Sequence, residues 1–276
     1  MSDLENSIIS TLAAEGIKGM VQHGLFPILR QIYQESNATA LDTWKKAVVN
    51  ERFASLIEAD KQLSAESENL SDKRTDNEKY SPLSEVNKTL FHYVYATDDN
   101  KVNYLRNALL NGIYGDYTLE LREDLFRITE STQPLDIHIL QYLVKTCGNH
   151  EDYLSLFNDV EVQKKDLREK YEYKGNNEPR LEHDDYEKRR DEIDRPLSEL
   201  KSKLSMPAIL KNFKTQDETV VQRSLDRLQS NGLVYNNGAN HFGPYNPYHS
   251  FIPLKLASIF LNFVSDPRNS LKQIST

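Results

Sequence analysis

Apolar residues recur at steps of three and four from the start of the chain: Ile8, Ile9, Leu12, Ala13, Ile17, Met20, Val21, Leu25, Phe26, Ile28, Leu29 and Ile32. This is helix spacing. Gly16, Gly19 and Gly24 each lower helix propensity by about 1 kcal/mol relative to Ala, and Pro27 interrupts the backbone ladder. Two shorter helices with a bend near Gly24–Pro27 are therefore expected over 4–33. They would pack on the rest of the chain or on a second copy. The alternative, an interfacial membrane helix, wants a polar face rich in Lys and Arg, which Glu15, Lys18 and Arg30 hardly supply. Leu41, Trp44, Val48, Phe53, Leu56, Ile57 and Leu63 mark a further helix over 40–66, after which 64–80 turn almost wholly polar and read as a linker.

Ser81-Pro82 suits a helix start, and Leu83, Val86, Leu90 and Val94 carry that helix to about Ala96. Asp98 or Asp99 caps the next, with Val102, Leu105 and Leu109 inward and Gly112 expected to end it. Asp116 is expected to open a helix bearing Leu121, Leu125 and Ile128, broken at Thr132-Gln-Pro134. Leu135, Ile139, Leu140 and Leu143 form one more, stopped at Gly148. Short helices on short connections describe a compact bundle.

Over 150–204 the character changes, with 16 acidic and 12 basic residues among 55. Yet Tyr153, Phe157, Val160, Leu167 and Tyr171, then Tyr186, Ile193, Leu197, Leu200 and Leu204, repeat as narrow seams of the kind along which two helices meet. With a turn at Lys174–Pro179, this predicts an antiparallel helical hairpin. A solvated charged linker is the alternative.

The last 70 residues run helix (Met206–Phe213), short turn, helix (Asp217–Asn231), Gly232-Leu233-Val234, a turn at Asn236–Gly238, a Tyr-, Asn- and Pro-rich stretch, and a closing helix over about 254–264. The passage Val221-Gln-Arg-Ser-Leu-Asp-Arg-Leu-Gln-Ser-Asn-Gly-Leu-Val234 resembles the second helix and first wing strand of a winged helix-turn-helix. Thr132-Gln-Pro-Leu-Asp-Ile-His-Ile-Leu-Gln-Tyr-Leu143 resembles the opening helix of such domains, which makes the charged hairpin an insertion after it. Tyr104–Gly112, Leu125–Ile128 and Thr132–Leu135 also resemble bacterial proteins of the abortive-infection alpha type. In those, an N-terminal helical region precedes a winged-helix-like C-terminus. This resemblance implies a link to phage defence and supplies no catalytic residues. Where that family often carries Thr-Pro-Leu-Gly before its last helix, this chain reads Ile252-Pro-Leu-Lys255.

The expected architecture is mainly α: a helical bundle with a C-terminal winged-helix-like domain interrupted by a charged antiparallel helical hairpin. Its expected parts are N-terminal helices for oligomerisation (1–66), a polar linker (67–79), the bundle (80–131), the winged-helix-like domain (132–149 and 205–276) and the inserted hairpin (150–204).

Composition narrows the chemistry. The single Cys147 excludes an internal disulfide. No stretch reaches the roughly 20 apolar residues needed to cross a bilayer, and Met1–Glu5 is acidic where a signal peptide would be basic, so a cytoplasmic protein is expected. No Walker loop, dinucleotide fingerprint, HExxH or GxSxG occurs. His183-Asp184-Asp185 sits at the hairpin tip and reads as solvated surface, and His241 and His249 flank a loop with no carboxylate or thiol nearby to complete a metal site. No catalytic group, metal or cofactor is expected. The formal net charge is −8, but residues 206–276 carry seven Lys and Arg against four Asp and Glu.

Two functions follow as expectations. The first is a non-enzymatic interaction or regulatory protein that acts through protein contacts, as a homo-oligomer or as part of a phage-defence or regulatory assembly. The alternative is a DNA-binding transcriptional regulator. In that case Lys214, Gln216, Thr219, Gln222, Arg223 and Arg227 offer base-edge or phosphate contacts, with Tyr235, Asn237, His241 and Tyr245 on the wing. Asp217 and Glu218 suit the positive end of a helix dipole but would face phosphates. A third idea has the N-terminal segment attacking membranes during infection.

Overall fold

The computed structural model describes residues 51–52, 54–56, 58–59, 62–63, 84–148, 150–172, 183–237 and 250–268. The expected N-terminal helices over 4–33, the 67–79 linker, the Ser81-Pro82 start and the Lys174–Pro179 turn lie outside the described residues. The described chain is mainly helical, with one two-stranded sheet. Among the described residues, no helix is long and apolar enough to cross a membrane. It divides into two compact units, one running up to Ser131 and taking in the residues from Asn262 onward, the other Thr132–Leu261.

In the first unit, helical residues within 51–63 precede α1 (Ser84–Tyr95), α2 (Asp99–Tyr114) and α3 (Leu119–Ser131). Leu90, Val94, Leu105, Leu109, Leu125 and Phe126 are buried where these three helices pack on one another. Asp98 caps α2 as expected, its carboxylate accepting from the Lys101 backbone N–H at 2.9 Å.

Gly112, expected to end α2, lies inside it, and Gly115 is the residue that caps the helix. A Cβ on Gly112 would come within 2.3 Å of Cζ of the buried Phe126, so the glycine serves close packing instead of termination. Asp116, expected to open the next helix, stands before it. The backbone carbonyl of Thr118 accepts from Arg122 N–H at 2.9 Å, and α3 begins at Leu119.

Distant side chains satisfy the orphan carbonyls at three helix ends. Arg52 donates to the carbonyls of Tyr93 (3.1 Å) and Val94 (2.6 Å) at the end of α1. Lys101 Nζ donates to the Thr129 carbonyl at the end of α3 (2.5 Å). Both are cations at the negative pole of a helix. Residues 262–268, read from the sequence as the tail of the C-terminal domain, belong to the first unit. There Asn107 Nδ2 donates to the carbonyl of Val264 (3.1 Å), and Asn111 Nδ2 donates to those of Phe263 (2.8 Å) and Ser265 (2.9 Å).

The second unit opens with α4 (Pro134–Cys147), followed by α5 (His150–Glu172), α6 (His183–Lys203), α7 (Met206–Asn212) and α8 (Glu218–Ser230). Strands β1 (Val234–Asn236) and β2 (Phe251–Pro253) pair antiparallel, with Val234 opposite Pro253 and Asn236 opposite Phe251. A last helix, α9 (Lys255–Val264), follows, and the boundary between the units falls within it.

α5 and α6 pack along each other. Tyr153, Val160 and Leu167, seven apart, are buried, as is Leu197. The rings of Tyr171 and Tyr186 sit 4.5 Å apart, and Lys164 pairs with Asp194 at 2.5 Å. Phe157, counted in the seam from its spacing, is 37% exposed and stacks on Tyr153 instead. α6 also accommodates Pro196, which is exposed.

Candidate functional site

The surface holding the candidate contacts is built on α7, α8 and the strand pair. Asp217 caps α8, its carboxylate accepting from Thr219 N–H at 2.8 Å, and that bond holds the acid below its ordinary pKa. Val221, Leu225 and Leu228, at steps of four and three, together with Ser224, turn one face of the helix inward. Gly232, at φ 68°, ends the helix with the paired bonds of a Schellman motif: Leu233 N–H to Leu228 O and Gly232 N–H to Gln229 O, both 3.0 Å. Leu233 folds back into the core and the chain enters β1.

Two further ties fix the frame. The Leu204 carbonyl accepts from Phe251 N–H at 3.0 Å while Ser205 bridges Ser250, so the end of α6 runs alongside β2. Tyr142 of α4 donates its hydroxyl to the Lys203 carbonyl at 2.9 Å, and its ring meets Phe213 edge-on at 6.1 Å.

The candidate side chains fall into three groups. Lys214, Gln216, Thr219 and Arg223 are exposed and share the outer side of the α7–α8 turn and α8. Gln222 is half-buried and donates its amide to Asp226 at 2.8 Å. Arg227, expected to reach phosphates, is held by the fully buried Asp136 of α4. Its Nε donates to Oδ2 at 2.9 Å and an Nη to Oδ1 at 2.7 Å, a two-pronged ion pair that pushes the guanidinium pKa further up. Asp136 Oδ2 also accepts from Gln133 N–H at 2.7 Å, so one carboxylate secures the start of α4 and fastens α8 to it. Sequence reading missed this residue. The signal was present as an acid three positions after Gln133, in capping spacing.

In and just after β1, where wing contacts were expected, Tyr235 is 47% exposed, and Asn237 Oδ1 accepts from Ser250 N–H at 3.1 Å. His241 and Tyr245 lie outside the described residues.

The electrostatics of the outer face are balanced. From 211 to 226 the exposed cations are Lys211, Lys214 and Arg223, and the exposed carboxylates are Asp217, Glu218 and Asp226, three of each sign. Val220 stands among them, 40% exposed. The face offers hydrogen bonds of both kinds and an apolar contact, with no excess of positive charge.

Elsewhere in this unit, burial, with the carboxylate of Asp152 adding to it, pushes the Cys147 thiol up to about 11. It is protonated at neutral pH and a poor nucleophile. Among the described residues no cluster of His, Cys, Asp and Glu is grouped to hold a metal ion. No family model, curated protein or solved structure matches the chain.

Proposed function

We propose that this chain is a non-enzymatic interaction or regulatory protein that works through protein contacts, in a phage-defence or regulatory assembly. The Thr132–Leu261 unit reads as a winged-helix-like docking module. The order α4, the 204–205 rung beside β2, α7, α8, β1 and β2 supports that reading. The α5–α6 pair reads as a hairpin inserted after the first helix of the module and offers a second charged surface. The N-terminal segment supplies the self-association.

The observation that carries the proposal is the balance of three cations against three carboxylates on the outer face of α7 and α8. DNA binding draws most of its affinity from neutralising phosphates, and a face without net charge lacks that drive. Asp217 sharpens the point, because the bond that caps α8 also keeps it ionised on the edge that would meet the duplex. Exposed apolar and tyrosine surface beside mixed charge is what a protein partner uses.

The DNA-regulator alternative keeps Thr219, Gln222 and Arg223 as its base-reading set. A gel-shift assay with the DNA upstream of the chain's own gene separates the two readings. The expected result is no sequence-specific retention at physiological salt. Retention that disappears in Gln222→Ala/Arg223→Ala would transfer the function to DNA.

A further inference from the structure

Of the seven large apolar side chains exposed among the described residues, three stand on α5: Leu154 at 41%, Phe157 at 37% and Val162 at 59%. At about 100° per residue, Leu154, Phe157, Glu161, Lys165 and Arg168 fall on one flank of the helix, beside the seam with α6, and Val162 stands at its edge. A shallow groove follows this flank from Asn158 to Arg168, lined by side chains of α5 alone.

Charge along the helix is divided. Residues 151–161 hold four carboxylates, Glu151, Asp152, Asp159 and Glu161, and no Lys or Arg, whereas 162–170 hold Lys164, Lys165, Arg168 and Lys170 against Asp166 and Glu169. The helix dipole favours acids in the first turn and bases in the last, but its influence ends there. Asp159, Glu161, Lys164 and Lys165 stand about two turns or more from either end, so the division needs another reason. Two charges near its centre also have spare capacity. Lys164, 3.2 Å from Glu161, is held more closely by Asp194 at 2.5 Å, and Lys165 reaches Glu169 only at 3.9 Å. The side chains of Glu161 and Lys165 are 52% and 76% exposed.

We propose that this flank pairs with the same flank of a second copy, the two α5 helices running antiparallel about a two-fold axis near Gln163. Antiparallel pairing lays the acidic half of each helix on the basic half of the other, and the two-fold axis makes every contact twice. In that register Glu161 meets Lys165 of the other copy, and Arg168 lies over Phe157. The two Val162 side chains approach each other across the axis. A parallel pair would set like charges side by side. The pairing gives the charged surface of the α5–α6 hairpin one occupant, and it rests on the reading of that hairpin as a docking face. One helix flank is smaller than a standard interface, so the contact belongs to the weak, transient class.

Full-length Glu161→Lys and Lys165→Glu, carrying tags of different mass, test this by native mass spectrometry at about 100 µM. Both positions are exposed, so the circular-dichroism spectra should not change. Each variant alone sets like charges at both crossings and should dimerise at least about tenfold more weakly than the unmodified chain. Mixed together, they restore opposite charges at both crossings, so mixed dimers should make up about nine-tenths of all dimers, a preference that fades in about 0.5 M salt. Pairing through the N-terminal segment alone is blind to α5 and yields the random share of about one-half. That random share overturns the α5 pairing and leaves N-terminal self-association standing. Absence of dimers from every sample overturns both, and a foreign protein captured from the host but lost in Glu161→Lys would then be the occupant of the flank instead.

Discussion

Arg227→Ala is expected to destabilise the Thr132–Leu261 unit by about 3 kcal/mol, because it strands a buried carboxylate. Asp136 is fully buried and takes both prongs of the guanidinium at 2.9 and 2.7 Å. Without the arginine it keeps the capping bond from Gln133, which serves one of its two oxygens. The Arg227 side chain is 36% exposed, so water partly replaces what is lost, which places the effect at the lower end for broken buried pairs. Urea unfolding followed by circular dichroism should show the midpoint falling by about 1.5 M. The double variant Asp136→Leu/Arg227→Met should recover much of the loss, since it removes the stranded charge together with its partner. A shift below about 0.5 kcal/mol for Arg227→Ala, the range of ordinary surface changes, would return Arg227 to the pool of available contact residues.

Phe263→Ala should cost the first unit about 4 kcal/mol, the sum of lost burial and an unfilled cavity. The ring is fully buried and meets Tyr117 at 5.4 Å and Phe126 at 5.2 Å, both edge-on. Such pairs add about 1 kcal/mol beyond area alone. Amide exchange at Leu105 and Leu109 of α2 should accelerate while Leu225 and Leu228 of α8 stay protected. Equal acceleration in both helices would contradict the assignment of residues 262–268 to the first unit. Leu119→Ala, at a position 44% exposed, is the control and should change stability by less than about 0.5 kcal/mol.

What could be read from the sequence is what depends on near neighbours. Asp98 and Asp217 cap the helices they precede because a side-chain oxygen two or three residues away from an orphan N–H needs no tertiary help. Gly232 is legible for the same reason, since the left-handed turn and the return of Leu233 are a six-residue motif. Gly112 misleads because its reason lies fourteen residues away, in the ring of Phe126, and local propensity alone makes it a terminator. The Asn107 and Asn111 caps bridge more than 150 residues, and Arg227–Asp136 bridges 91, distances at which a helical pattern carries no information about partners. The same limit explains the candidate surface. Periodicity separated the inward face of α8 from the outward one, so Thr219 and Arg223 are placed outward as expected, but Arg227 stands at the margin, where a buried acid on another helix decides its role. In α5 the heptad-spaced Tyr153, Val160 and Leu167 are the buried ones, and Phe157 between them is only partly covered.

The central claim is that the outer face of α7 and α8 serves a protein partner. Its most direct test is affinity capture of the tagged chain from its native host, with proteins identified by mass spectrometry and bound nucleic acid quantified in the same eluate. Val220→Glu is run in parallel, since it changes an exposed position at little cost to stability. The predicted result is one partner protein held in stoichiometric amount by the unmodified chain, lost in Val220→Glu, with no enrichment of DNA. Capture of the chain's own upstream DNA, or a partner retained unchanged by Val220→Glu, would contradict it.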